Sequence, residues 1–117
     1  MNLHDPTVTD PDYYQVVFEN ERVRVLEYRD EPGARTHAHR HPDSVMVTLS
    51  AFSRRVAADG RHVEVDLRAG EARWLGAQEH TGENVGDTAS HCIFVELKEA
   101  APVIEQAADV PLGPSAP

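Results

Sequence analysis

The sequence predicts an all-β domain, a small barrel or sandwich of about eight to ten short strands. Segments rich in β-branched and aromatic residues recur at hairpin spacing, and turn residues stand between them. No stretch of about twelve residues shows a clean helical period. With 117 residues, the chain is long enough to bury one core without disulfide bonds.

The predicted strands follow one another with short connections. They are 15–18, 22–29, 45–49, 53–57, 61–67, 71–75 and 91–97. The alternation of apolar and polar residues in 22–29 changes phase at Leu26, which suggests a bulge in that strand. Asp59-Gly60 stands between two strands and is the strongest hairpin signal of the chain.

Both ends of the chain differ from this pattern. Residues 1–14 are polar and contain two prolines, so we expect an N-terminal arm whose acidic residues Asp5, Asp10 and Asp12 are solvated. The barrel is expected to span 15–98. Residues 99–117 are rich in alanine and proline and predict a short helix or a loose tail, with the final six residues disordered.

Composition narrows the environment and the partners. The net charge of −9 argues against nucleic acids and anionic membranes as partners. Cys92 is the single cysteine, which excludes an internal disulfide and suggests a reducing compartment. The first residues lack the basic and apolar regions of a signal peptide, and no apolar run is long enough to span a membrane. We therefore expect a cytoplasmic location.

Three histidines alternate along one segment. His37, His39 and His41 would point to the same face of a strand. A divalent metal ion needs several neutral imidazole nitrogens that converge at about 2.0–2.2 Å from it. Two histidines at i and i+2 can bind one side of such an ion. A third ligand must come from a neighbouring strand, and His80 is the candidate.

The segment Gly33-Ala34-Arg35-Thr36-His37-Ala38-His39-Arg40-His41 resembles the first motif of the cupin superfamily, a glycine followed after five residues by His-x-His. Counting from Gly33 selects His39 and His41 as the pair. Residues 70–84 are similar to the second cupin motif, with His80 and Asn84 in the expected relation. The resemblance implies a double-stranded β-helix, or jelly-roll, barrel with one metal ion in its mouth, and it implies a homodimer.

The sequence departs from the family pattern at one ligand position. Cupins usually have a glutamate separated from the histidine pair by three or four residues, where this chain has Val45 and Met46. Asp43 is the nearest carboxylate. The resemblance therefore implies a three-histidine site formed by His39, His41 and His80. His37 and Asp43 are candidates for an additional ligand or for residues that surround the ligands.

Three neutral imidazoles leave the charge of a divalent ion uncompensated, so an anionic substrate is favoured. Arg35 and Arg73 are the candidates to bind its carboxylate. Arg35 is expected to share the face of His37 and His39 if the strand is regular.

Similar cupins with three-histidine iron include dioxygenases, so a mononuclear non-haem iron oxygenase is the first functional hypothesis. The alternatives are a non-catalytic module that binds a metal or small ligand, and a zinc or manganese cupin that acts as an isomerase or lyase. Three histidines suit Fe(II), Zn, Ni or Mn, so the residues do not select the metal.

Overall fold

The computed structural model describes residues 2–99 and 110–115. This part of the chain contains one short α-helix and nine β-strands. The elements are α1 (Pro6–Thr9), β1 (Tyr14–Glu19), β2 (Val23–Asp30), β3 (His39–His41), β4 (Ser44–Thr48), β5 (Phe52–Ala58), β6 (Arg61–Leu67), β7 (Ala72–Leu75), β8 (Gln78–Asn84) and β9 (Ser90–Leu97). The all-β class predicted from the sequence is confirmed.

Two antiparallel sheets enclose one core. The first contains five strands in the order β1-β2-β9-β4-β7, and the second contains four in the order β3-β8-β5-β6. Buried residues alternate with more exposed ones along β4, β8 and β9, as expected for strands with one face on the core. The core cluster is Tyr14, Leu26, Tyr28, Met46, Phe52, Leu67, Leu75, Cys92 and Phe94.

The predicted hairpin is present between β5 and β6. Asp59 and Gly60 have φ angles of 53° and 76°, the left-handed backbone that a two-residue turn between twisted strands requires. Glycine adopts this conformation without a steric penalty, and aspartate tolerates it better than most residues. The turn sets the register in which Ala58 pairs with Arg61.

The irregularity expected at Leu26 lies in the neighbouring strand. Leu26 pairs with Val16, and Val25 pairs with Phe18, so the extra residue is Val17 of β1. Strand β2 pairs with β9 without interruption from Val23 to Asp30. The apparent change of phase in β2 arises because valines occupy its outer face while Leu26 occupies the inner face.

The N-terminal segment packs against the barrel. Asp5 caps helix α1 by accepting a hydrogen bond from the backbone N–H of Thr7 at 2.9 Å. Pro6 and Asp10 are buried, so the expectation that Asp10 is solvated was wrong. Its carboxylate accepts hydrogen bonds from the backbone N–H of His37. The hydrogen bonds of Asp10 to His37 and the burial of Pro6 hold the N-terminal segment against the barrel.

A buried ion pair joins the two sheets. Arg54 of β5 donates to Asp30 of β2 at 2.7 Å, and the guanidinium lies 4.9 Å from the ring centroid of Tyr28. Asn84 of β8 donates to the same carboxylate at 2.9 Å. Burial raises the pKa of Asp30, but hydrogen bonds from Tyr28 and Arg54 outweigh it and lower the pKa below its usual value. Asp30 therefore remains charged opposite Arg54.

Two further findings bear on the expected environment. In the described part of the chain, no helix is long and apolar enough to cross a membrane. Cys92 is buried in β9, and burial raises the pKa of its thiol to about 12. The thiol is therefore protonated and unreactive at neutral pH.

Candidate metal centre

Three histidines meet inside the barrel, close to its N-terminal segment. His39 and His41 lie on β3 and His80 lies on β8, with His39 directly opposite His80 in the register. All three are buried, and their candidate ligand atoms lie within 4.8 Å of one another. The predicted grouping of these three residues is thus present. It arises because both strands place alternate side chains toward the interior.

Each imidazole is held at its Nδ1 atom by an oxygen acceptor. The partners are the carbonyl of His37 for His39 at 2.8 Å, the carboxylate of Glu96 for His41 at 3.1 Å, and the side-chain oxygen of Gln78 for His80 at 2.8 Å. Such partners favour the tautomer with the proton on Nδ1. The Nε2 lone pairs are then left available for a ligand.

Burial also keeps these rings neutral. Desolvation lowers the pKa of His39, and it lowers those of His41 and His80 well below the usual value for histidine. The proximity of the other rings lowers the pKa values of His41 and His80 further. Neutral imidazoles with free Nε2 lone pairs are the form that binds metal ions, so the donor set fits a divalent ion.

Glu96 is part of the site, although the sequence analysis did not select it. Its carboxylate lies on the inner face of β9, where it contacts His41 and pairs with Arg24 at 2.8 Å. Arg24 also pairs with Asp5 at 2.8 Å. Burial raises the pKa of Glu96, while the contacts with Arg24 oppose this effect. The carboxylate orients His41 and supplies negative charge beside the centre.

Tyr14 was also missed. Its ring is buried, and its hydroxyl lies 3.3 Å from Nε2 of His39 and 3.4 Å from Nε2 of His41. It is the first residue of β1 and approaches the histidines from the five-stranded sheet. The sequence analysis assigned Tyr14 to the N-terminal arm, because a tyrosine there carries no sequence signal for such a position.

His37 does not join the cluster. Its side chain is 80% exposed and its Nδ1 lies 3.0 Å from the Asp10 carboxylate. The expectation that all three alternating histidines share a face was wrong because regular strand begins at His39. Residues 36–38 are irregular, so Thr36 is buried while His37 is exposed. His37 contributes to the centre through its backbone carbonyl, which accepts from His39.

Asp43 does not replace the glutamate that cupins usually have near the histidine pair. Asp43 accepts a hydrogen bond from the backbone N–H of Ala77 at 2.8 Å, so it stabilises a connection and is not part of the histidine cluster. On β4, Met46 is buried and lines the interior, whereas Val45 is partly exposed on the outer face. Met46 therefore occupies the inward position of this strand near the histidines.

The two candidate arginines are engaged elsewhere. The Arg35 side chain is 75% exposed and its Nε lies 3.4 Å from Glu83, so the strand-parity argument for it was wrong for the same reason as for His37. Arg73 pairs with Glu71 at 2.8 Å and donates to the carbonyl of Ser115. The arginine that does line the interior beside His39 and His80 is Arg54.

A small cavity of about 30 Å³ adjoins the histidines. Tyr14, Arg54, Met46 and Phe94 contribute to its wall, and Pro114 of the C-terminal segment also lines it. Its volume matches the space of about one water molecule. A second cavity of about 690 Å³ also reaches His80, so the space beside the centre is not limited to this small cavity.

Neither a protein-family model nor a curated protein matches the chain. Solved structures do match it. A cupin domain from Bordetella pertussis Tohama I is 31% identical, with a TM-score of 0.68, and the match covers 74% of this chain and 92% of that domain. The chain therefore belongs to the cupin superfamily, as its two motifs implied.

More distant neighbours share the fold. An RmlC-like cupin from Methanocaldococcus jannaschii is 8% identical with a TM-score of 0.59, and the match covers 72% of this chain and 77% of that one. The polyketide cyclase RemF from Streptomyces resistomycificus is 20% identical with a TM-score of 0.55, and the match covers 76% of this chain and 66% of that one. The double-stranded β-helix predicted from the sequence is confirmed.

Proposed function

We propose that this cupin binds one divalent metal ion through His39, His41 and His80 and acts as a mononuclear non-haem iron oxygenase on a small anionic molecule. The observation that carries the proposal is the set of three buried imidazoles with their Nδ1 atoms bound to oxygen acceptors. Three Nε2 lone pairs that face one space repel each other, and a cation bound between them stabilises the arrangement.

Iron(II) bound by three facial imidazoles has open positions at which a substrate and dioxygen can bind. The chain's own residues prepare that site. Glu96 and Gln78 fix the orientation of two rings, and the apolar side chains of Met46 and Phe94 exclude water. Arg54 places a positive charge at the wall of the cavity, although Asp30 balances it.

A second function is favoured by the size of the cavity. The cavity of about 30 Å³ lined by His39 and His80 does not admit an organic substrate without rearrangement, which supports a non-catalytic metal-binding module. The larger cavity of about 690 Å³ that also reaches His80 would admit one and supports the first function. The same ligands also suit Zn, Ni or Mn, and a zinc or manganese centre would support isomerase or lyase chemistry instead.

Elemental analysis of protein purified without a histidine tag tests the proposal. We expect about one metal ion per chain, which His80→Ala removes because it takes away one of the three histidine ligands. His62→Ala is the matched control, since His62 is exposed on β6. Equal metal content in the wild type and His80→Ala would contradict the proposed three-histidine metal centre.

Oxygen consumption separates the two functions. Bound iron together with consumption of dioxygen on a panel of carboxylates and dicarbonyls would support the oxygenase. Bound metal without turnover would support the binding module.

We also propose a homodimer in a reducing, cytoplasmic compartment. The outer face of the five-stranded sheet offers a surface for a second copy, because Val25, Val95, Val45 and Trp74 form one cross-strand row. Trp74 is 45% exposed and the three valines are partly exposed. Light scattering of the purified protein should give the mass of two chains.

A further inference from the structure

We propose that the phenolic oxygen of Tyr14 is the fourth protein donor to the metal ion. The inference rests on the proposed metal centre and adds a ligand of a different chemical type, from the opposite sheet. The geometry points to this role because the Tyr14 hydroxyl faces the same Nε2 atoms that are expected to bind the ion.

The distances fit a shared ion. Ligands about 2.1 Å from one metal ion lie roughly 3.0 Å apart at adjacent octahedral positions and about 3.4 Å apart in a tetrahedral arrangement. The hydroxyl oxygen of Tyr14 lies 3.3 Å and 3.4 Å from the two Nε2 atoms. These values match donors of one ion.

A hydrogen bond explains the same contacts less well. Hydrogen bonds from a hydroxyl group are normally shorter than about 3.2 Å, and both contacts are longer. The hydroxyl has a single proton, while His39 and His41 each present a lone pair if Nδ1 carries their proton. Tyr14 can donate to one ring at most, so the arrangement gains more from a cation placed between the three groups.

The Tyr14 side chain is held in this position from several sides. Its ring packs against Tyr28 with centroids 4.6 Å apart and against Phe94 at 6.0 Å. Its backbone N–H donates to the carbonyl of Asp10 at 3.1 Å. A buried ring with these neighbours loses little further entropy when its oxygen binds a ligand.

The described residues offer no carboxylate for this role. The histidine cluster contains no acidic member, and Glu96 is engaged by His41 and Arg24. Coordination by Tyr14 would form one metal–oxygen bond and release the phenolic proton to solvent. The centre would then keep a single positive charge, and a six-coordinate ion would have two open positions instead of three.

Spectroscopy of the ferric protein tests the proposal. The chain is loaded with Fe(II) without air, its iron content is measured, and the bound iron is then oxidised to Fe(III). We expect a visible phenolate-to-iron charge-transfer band and tyrosinate ring modes in the resonance Raman spectrum. Tyr14→Phe should bind iron and lose both signals. Tyr13→Phe, at the neighbouring and less buried position, should retain them.

The possible failures can be told apart. Bound iron without the charge-transfer band in the wild type would overturn the role of Tyr14 and leave the three-histidine centre intact. A band that persists in Tyr14→Phe would also overturn it. Absence of iron binding by the wild type would overturn the proposed function together with this inference. The wild-type spectrum decides whether a phenolate binds even if Tyr14→Phe does not fold, and deuterated tyrosine identifies the Raman modes.

Discussion

At the scale of single residues, the centre consists of three buried imidazoles, and burial keeps them in the neutral form. Burial lowers the pKa of each of the three histidines relative to the unfolded chain, where it is about 6.5. Below that pH the unfolded state binds more protons than the folded state. The linkage relation then requires the free energy of unfolding to fall as the pH decreases.

We therefore predict that the metal-free protein is most stable above about pH 6.5 and loses stability as the pH falls below it. Each histidine that remains neutral in the folded state contributes a slope of up to about 1.4 kcal/mol per pH unit. Urea unfolding in the presence of a chelator, at several pH values between 5 and 8, measures this slope.

Substitution identifies the residues responsible. His80→Asn should reduce the slope by about one proton, because the asparagine does not titrate, while His62→Asn should leave it unchanged. A free energy of unfolding that does not vary between pH 7 and 5 would contradict the burial of neutral histidines. The metal-bound form should show the same sign, since protons compete with the ion for Nε2.

The residue scale also shows where sequence reasoning succeeds and where it stops. His39 and His41 could be selected because ligand spacing within one strand is a local property, and His80 because it stands in a segment similar to the second cupin motif. Glu96 and Tyr14 could not, because their positions depend on which face of a strand is buried. On β9 the inner face carries Cys92, Phe94 and Glu96, while the aliphatic Ile93 and Val95 lie on the outer face.

At the scale of elements, the Arg54–Asp30 pair connects the two sheets at a buried position. Arg54 is held by Asp30 and Ser90, and its guanidinium reaches the Tyr28 hydroxyl at 3.1 Å. A β-carbon on Gly82 would lie 2.6 Å from Arg54 Nη2, so the absence of a side chain at this position of β8 makes room for the guanidinium. Strands β2, β5, β8 and β9 thus meet at one charged group.

We predict that Asp30→Asn strongly destabilises the fold, by about 3–5 kcal/mol, because it leaves the buried Arg54 charge uncompensated. Urea unfolding at neutral pH measures the change. Glu64→Gln, on the four-stranded sheet that carries Arg54, is the matched control, since its partner Arg55 is exposed, and no measurable change is expected. If both variants lost the same stability, the proposed difference between buried and exposed pairs would be wrong.

The strands themselves were largely predictable. Alternation and turn residues identify seven of the strands to within a few residues, because both signals are local. The bulge at Val17 was placed in the wrong strand, since a single strand's sequence does not reveal the register of its partner. Strand β3 is only three residues long, and its irregular entry changed the face of His37 and Arg35.

At the scale of the whole molecule, the C-terminal segment packs against the barrel beside the three histidines. The backbone N–H of Gly113 donates to the side-chain oxygen of Gln78 at 2.8 Å, and the same oxygen lies 2.8 Å from Nδ1 of His80. Ser115 binds the carbonyl of Trp74, and Pro114 lines the cavity. Residues 111–115 therefore contact the barrel. The helix or loose tail was expected over 99–117, and residues 100–109 of it lie outside the described residues. The disorder expected for the final six residues was wrong for Gly113 and Ser115, because both form hydrogen bonds to the barrel.

The shared oxygen of Gln78 links the C-terminal segment to His80, one of the proposed metal ligands. While Gly113 and His80 both use it, the segment stays over the cavity and the His80 ring keeps the orientation that points Nε2 inward. Detachment of the segment would open the cavity of about 30 Å³ and remove one of the contacts that hold Gln78. In the proposed metal centre, the same side chain would then control both access to the ion and its retention.

We predict that Gln78→Met increases the rate of metal release by about ten-fold or more, because methionine has a similar length but lacks the acceptor for His80 and Gly113. Transfer of the ion to a coloured chelator measures this rate.

Deletion of 110–117 should also accelerate release of the metal ion, with a smaller effect, since Gln78 remains to hold His80. Gln15→Met, at an exposed position of β1, is the matched control and should release metal at the wild-type rate. Unchanged release from the deletion variant would show that the segment does not limit access, and unchanged release from Gln78→Met would show that the His80 contact does not retain the ion.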